Sequence, residues 1–342
     1  MTILSQILKY EKVNIKTSIK KIKPYNIQLE KRNKVKNHTL TKTQKEKRNK
    51  VKTMHYINSK SILSQKNGMN LYRGCTHGCI YCDSRSKIYN MDHAFEDIEI
   101  KANGPELLKK SLKSKKEKVM IGTGSMTDPY IPLEKKIQNV RESLELICKY
   151  GHGFTCITKS NLILRDLDLL KKINENGKTV IQMTLTTYDE DLCKILEPNV
   201  CTTKERVNVL KILNKYNIPT IVWLCPILPF INDTEENIKG ILDYCIDSNV
   251  KGIICFGMGM TLREGNRGYF YKKLDKHFPG LKEKYIETYG DNYGLVSPNH
   301  NKLMKIFYKR TNENNIMNNP DEIFKYLHEF PSKDTTKQTT LF

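Results

Sequence analysis

The chain has 342 residues, room for one large domain or two ordinary ones, with 38% hydrophobic residues and a mean hydropathy of -0.56. Its longest apolar run, 221–231, is about half a bilayer span and is broken by Pro226 and Pro229, which argues against a membrane-spanning helix; residues 1–10 lack the apolar core and cleavage site of a secretory signal. The net charge of +21 is unevenly placed, since residues 1–53 hold 16 of the 58 Lys and Arg but 3 of the 37 Asp and Glu; it permits a polyanionic partner without requiring one.

Within that basic segment Glu-Lys-Arg-Asn-Lys-Val-Lys occurs at 30–36 and again at 46–52, with few apolar anchors between. Such a stretch cannot bury enough surface to offset its ordering entropy, so 1–53 reads as a solvated, disordered tail or as a basic arm on nucleic acid. Met54 is an alternative start just before the patterned region. Lys, Asn and Ile are abundant and Ala94 and Ala102 are the only alanines, a bias expected of AT-rich coding sequence. The ten cysteines are scattered apart from the first three, and the rest sit mostly in apolar stretches, as small buried hydrophobes in a reducing cytoplasm do.

From Met54 onward, short β-rich runs alternate with amphipathic helices. Strands are predicted at 118–122, 153–159, 179–186, 220–228 and 252–257, near-continuous in apolar character as buried parallel strands are. Helices are predicted at 135–150, at 165–176 with Leu167, Leu170 and Ile173 on one face, at 204–216, and at 233–248 with Asp233 and Glu236 as a capping box. This series implies α/β architecture with a parallel sheet, as a barrel or an open sheet, with chemistry at the C-terminal strand ends. Thr127, Asp128, Lys159, Ser160 and Thr184 to Thr187 fall there. Helices follow at 269–276, 281–289, 299–308 and 321–329, packing on the sheet or covering its mouth. The expected organisation is 1–53 tail, 54–262 α/β unit, 263–330 helical segment and 331–342 flexible end.

The segment Arg73-Gly-Cys75-Thr-His-Gly-Cys79-Ile-Tyr-Cys82-Asp brings three thiols together at C-x3-C-x2-C spacing. Soft thiolates so close select an iron–sulfur cluster, zinc or copper(I). Zinc wants a closed set of four, for which His77 or His93 is available; a cubane held by three cysteines leaves one iron open to an exogenous ligand.

With Tyr81 before the last cysteine, this loop resembles the signature of radical S-adenosylmethionine (SAM) enzymes. Met-Thr-Asp-Pro-Tyr-Ile-Pro-Leu-Glu at 126–134, Thr-Lys-Ser at 158–160, Leu-Glu-Pro at 196–198 and Leu-Arg-Glu-Gly-Asn at 262–266 resemble the spore photoproduct lyase-like (DNA repair photolyase-like) branch. The resemblance covers about residues 54–330. It implies a partial (β/α)6 barrel of the TIM type with a mainly helical C-terminal segment, and a [4Fe–4S] cluster on Cys75, Cys79 and Cys82 with SAM at the fourth iron. Electron transfer from a donor such as flavodoxin or ferredoxin then cleaves the cofactor to methionine and a 5′-deoxyadenosyl radical that takes hydrogen from a substrate, here nucleic acid or a component of it. By the same resemblance Tyr81 lies near adenine, unless it only packs the loop. Thr127, Asp128, Lys159 and Thr184 contact the methionine end, and Arg263 anchors substrate. The cysteine that photoproduct lyases carry just before their Ser-Asp pair has no counterpart, because no cysteine lies between 83 and 147, so thymine-dimer repair by that route is not expected. The non-enzymatic alternative is a zinc-stabilised nucleic-acid-binding module. At the end of the chain, Gln338-Thr-Thr-Leu341-Phe342 resembles the peptide that docks in the bacterial sliding clamp, with Leu341 and Phe342 filling an apolar groove and Gln338 bonding its rim.

Overall fold

The computed structural model describes residues 54–331; the basic tail and the Gln338, Leu341, Phe342 motif lie outside them. Strands occur in the order β1 (Met54–Ile57), β2 (Gly68–Met69), β3 (Tyr72–Arg73), β4 (Ile98–Lys101), β5 (Met120–Thr123), β6 (Gly153–Thr158), β7 (Thr179–Thr184), β8 (Thr220–Trp223), β9 (Gly252–Ile254), β10 (Gly259–Thr261) and β11 (Gly294–Val296). Six of them form one parallel sheet in the sequential order β2-β5-β6-β7-β8-β9, and β2 and β9 do not pair with each other. This is the expected partial (β/α)6 barrel. Both faces of its strands are covered, which is why they read as continuous apolar runs: Ile121, Phe154, Ile181, Val222 and Ile253 are fully buried.

Connecting helices lie at Gly104–Ser114, Asn139–Lys149, Leu167–Asn176, Thr203–Lys215 and Glu235–Asp247, and a shorter one at Glu190–Leu196 follows β7. Three expectations are corrected. The helix foreseen at 135–150 is split into Glu134–Ile137 and Asn139–Lys149, because Gln138 adopts a left-handed conformation with φ 59°. The Asp233–Glu236 capping box does not form. Thr234 is the N-cap, its side chain accepting from the Asn237 amide, while Asp233 accepts from Ser297 Oγ at 2.5 Å. The box is found instead at Thr202 and Glu205. The strands foreseen to 186, 228 and 257 end at Thr184, Trp223 and Ile254, where the chain leaves the sheet for the mouth loops.

Of the C-terminal helices, His300–Glu313 packs Leu303 and Phe307 into the main core beside Glu235–Asp247, and the others divide between the two ends of the barrel. Asn266–His277 and Leu281–Tyr289, with β10 and β11, pack Phe270, Leu274, Tyr285 and Leu295 against Cys79, Ile80 and Tyr81. Pro320–His328 packs Ile323 and Leu327 on Met120, Val180 and Ile221 near the opposite strand ends. Among the described residues no helix is long and apolar enough to cross a membrane.

Candidate active site

The cysteine loop follows β2 and β3 and is held by backbone geometry. Gly74 (φ 89°) and Gly78 (φ 73°) take conformations that side chains avoid, and a Cβ at Gly74 would lie 2.6 Å from the Phe95 carbonyl. That carbonyl accepts from the Cys75 amide at 3.0 Å. The motif blocks scattered along the sequence converge on this loop. From Leu-Glu-Pro-Asn, the Leu196 carbonyl accepts from Ile80 N at 2.9 Å, and Asn199 donates to the His77 carbonyl at 3.1 Å and, through Nδ2, to that of Thr76 at 3.0 Å. From Leu-Arg-Glu-Gly-Asn, the Glu264 carbonyl accepts from Lys87 N at 2.9 Å, and a Cβ at Gly265 would meet the Arg85 carbonyl at 2.7 Å.

Asp128 ties the second block to the third. Its Oδ1 accepts from Tyr130 N at 2.8 Å and Thr158 Oγ1 at 2.7 Å, and its Oδ2 from Lys159 N at 2.8 Å. His77 Nδ1 lies 3.4 Å from the same carboxylate, and His93 Nε2 lies 3.8 Å from Glu99. Thr127 is buried beside Asp128, and Thr184, buried at the end of β7, accepts through its carbonyl from Arg206 Nη1 at 3.0 Å. Tyr81 is buried with its hydroxyl donating to Glu197, which is also paired with the fully buried Arg206. The Lys159 ammonium lies 4.0 Å from Glu197, too far for a hydrogen bond, and 5.9 Å from the Tyr81 ring centre. Burial disfavours its charge, but Cys79 and Glu197 outweigh this and raise its pKa. Arg263 lies beside the loop, with Nη2 donating to Tyr293 at 2.5 Å and Nε 3.7 Å from Asp83, the residue after Cys82.

Glu197, Arg206 and His77 complete this constellation without having been singled out for it. Arg206 carried a legible signal: it shares one helix face with Leu210 and Leu213, and a cation on an apolar stripe needs a buried partner.

The donor set fits a cluster: three soft thiols on one loop, with no fourth cysteine near them in sequence, leave one iron open. Among the described residues the trio of donors gathered within 4.8 Å lies elsewhere. Burial pushes the Cys75 thiol up to about 12, with Asp128 adding to the effect, and raises Cys79 well above its usual range. Without metal these thiols therefore keep their protons at neutral pH.

The radical SAM superfamily signature matches residues 69–259, and the chain belongs to that superfamily. It is an enzyme, and its cofactors are those of the family, a [4Fe–4S] cluster and SAM; enzymes of this family draw electrons from donors such as flavodoxin or ferredoxin. An uncharacterized protein of Methanocaldococcus jannaschii is 33% identical over 182 residues, covering 52% of this chain and 67% of that one. An uncharacterized protein of Mycobacterium tuberculosis is 26% identical over 254 residues, covering 69% and 74%. Among solved structures, spore photoproduct lyase complexed with dinucleoside spore photoproduct shares the fold, with a TM-score of 0.55 at 12% identity over 76% of this chain and 79% of that one.

Proposed function

We propose that Cys75, Cys79 and Cys82 hold the cluster and that the enzyme abstracts hydrogen from a nucleic acid or a nucleic-acid component. The observation that carries this reading is the position of the three thiols: they stand on one braced loop at the C-terminal mouth of the parallel sheet, where the other motif blocks converge. When bound, the reduced cluster and SAM together supply a 5′-deoxyadenosyl radical. The chain's own residues bind and orient. Lys159, an ammonium beside Cys79 that reaches no hydrogen-bond acceptor among the described residues, offers its donors to the methionine carboxylate, with Thr127 and Thr184 beside it. Asp128, saturated by three donors, positions the Thr158–Lys159 strand end rather than the ligand directly. Tyr81 lines the adenine side, and Arg263, half-covered next to Asp83, faces substrate. The nucleic-acid assignment is supported by the fold shared with a photoproduct lyase bound to a dinucleoside and by the basic tail. Residues 54–262 form the catalytic unit in this reading, with Asn266–His277 and Leu281–Tyr289 beside its mouth and Pro320–His328 at the opposite end.

Anaerobic reconstitution tests it. The expected result is a brown protein with about four irons per chain. On reduction with SAM it releases 5′-deoxyadenosine, and Lys159→Ala weakens cofactor binding at least tenfold. Mass spectrometry of irradiated DNA, incubated with deuterium-labelled cofactor, then reports the substrate. A colourless protein whose metal is one zinc, lost when the three cysteines become alanine, refutes the enzyme and leaves the zinc module.

A further inference from the structure

Strands β1 and β4 pair in parallel with His55 opposite Glu99, so both side chains emerge on one face of that small sheet. His93, from the segment leading into β4, closes on the pair. Its ring meets that of His55 edge to face at 4.9 Å, and its Nε2 lies 3.8 Å from Glu99 Oε2. Among the described residues, these three are the one trio of histidine, cysteine and acidic side chains whose donor atoms all lie within 4.8 Å of one another.

Hydrogen bonding orients His93. Its Nδ1 is 3.0 Å from the Ala94 carbonyl, which can only accept, so Nδ1 carries a hydrogen, and in the neutral ring Nε2 offers a lone pair. That Nε2 is buried and without a hydrogen-bond partner among the described residues, and it faces a buried carboxylate. A neutral imidazole lone pair set against a carboxylate in a buried place needs a cation between them, either a proton on the ring or a metal ion, and a third donor from His55 within 4.8 Å favours the metal. His55 Nδ1 lies 3.2 Å from Asp97 Oδ2, the carboxylate–imidazole contact that orients metal-bound histidines. Of the cations near Glu99, Arg73 directs its guanidinium to the Tyr89 and Asn90 carbonyls at 2.7 and 2.9 Å, and Lys101 lies two residues along β4 within reach of the Glu99 charge.

We propose that His55, His93 and Glu99 bind one zinc ion, with water as fourth ligand and Asp97 as the outer carboxylate behind His55. Two imidazoles and a carboxylate are donors that zinc favours. Bonds of about 2.0–2.1 Å require donors about 3.3 Å apart, a small rotamer adjustment from the observed contact. The same site holds zinc more tightly than ferrous iron. Its place suggests its use. The segment between His93 and Glu99 contains the Phe95 carbonyl that receives the Cys75 amide, and Asp97 N closes a turn on the Ala94 carbonyl at 2.9 Å. Zinc at both ends of this turn fixes the platform of the first cluster cysteine without touching it.

The site does not depend on the radical reading. The test uses the full-length chain, reconstituted without oxygen, equilibrated with one equivalent of zinc, gel-filtered and assayed for metals. We expect about one zinc per chain beside the iron. It is retained when Cys75, Cys79 and Cys82 become alanine, and lost on His93→Ala or Glu99→Gln. Asp97→Asn should weaken it roughly 10- to 100-fold. Cobalt in place of zinc in that cysteine-free-loop chain should give tetrahedral d–d absorption without a thiolate-to-cobalt band. No retained zinc in the unmutated chain, zinc that leaves with the three cysteines, or a thiolate band overturns the proposal. The cobalt spectrum with His55, His93 and Glu99 intact decides the point even where a ligand variant fails to fold.

Discussion

Replacing Arg206 by methionine removes the cation at the centre of the buried network behind the cysteine loop. Its guanidinium, itself fully buried, pairs with the buried Glu197 and donates to the carbonyls of buried Thr184 at 3.0 Å and half-buried Cys201 at 2.9 Å. Losing one partner of a buried pair costs about 3–5 kcal/mol, and each orphaned carbonyl about 1 kcal/mol more. The Lys159 ammonium at 4.0 Å and the Tyr81 hydroxyl remain beside Glu197 and offset part of this, so we expect a loss of about 4 kcal/mol. That lowers the melting temperature by roughly 10 °C for a domain of this size. Denaturant unfolding of the cluster-free protein, followed through its single tryptophan, Trp223, measures it. Glu197→Gln with Arg206→Met should cost at least about 2 kcal/mol less than the two single changes summed. Burial alone would raise the Glu197 carboxyl, but Arg206 and Lys159 outweigh it and hold it below the usual carboxylate range. A carboxyl depressed in the folded chain stabilises above its unfolded pKa, about 4.3, and ceases to as pH falls through its folded value. The gap between the unmutated chain and Glu197→Gln should therefore be full at neutral pH and close below about pH 4. A cost under about 1 kcal/mol for Arg206→Met, or a gap that ignores pH, refutes the network as described.

Two glycines with left-handed backbones should respond differently to alanine. At Gly124 (φ 99°) the new Cβ meets the Ile157 carbonyl at 2.2 Å, whereas at Gly280 (φ 80°) nothing lies within 4 Å. Gly280→Ala should cost about 1 kcal/mol and Gly124→Ala at least about 3 kcal/mol, read from the same unfolding curves. With Cys75 pushed up to about 12, iodoacetamide at pH 8 should alkylate it about 1000-fold more slowly than an exposed thiol in the cluster-free protein, as peptide mapping would show. A peptide of the last twelve residues should bind a bacterial sliding clamp and lose binding when Leu341 and Phe342 become alanine; no binding by the native peptide ends that reading.

The barrel was legible because its strands are buried on both faces and so announce themselves as unbroken runs such as 179–184, with amphipathic helices between. Elements with little chain to signal them were not. Strand β2 is two residues long, and the helix Gly104–Ser114 opens with Gly104 and Pro105, which read as a turn until Pro is seen at a helix start. The three cysteines were plain from spacing alone. The apolar face of the helix Thr203–Lys215 marks Arg206 as buried but not its partners, since Tyr81 and Glu197 come from distant segments, and the His55, His93, Glu99 cluster required the register of β1 on β4, 44 residues apart along the chain. No local pattern encodes a register of that span.

The order in which the chain leaves the ribosome has a bearing on cluster loading. Cys75, Cys79 and Cys82 emerge early, and Phe95 follows soon to receive the Cys75 amide, but the groups that hold Ile80, His77 and Lys87 in the rest of the loop come from Leu196, Asn199 and Glu264. The last of these is about 190 residues further on, roughly 10–40 s of translation. Until then the nascent thiols have no finished seat, so iron delivered during synthesis would meet an unbraced ligand set. On the proposed ligand set, cluster loading is expected only once the chain has been made and folded past Glu264.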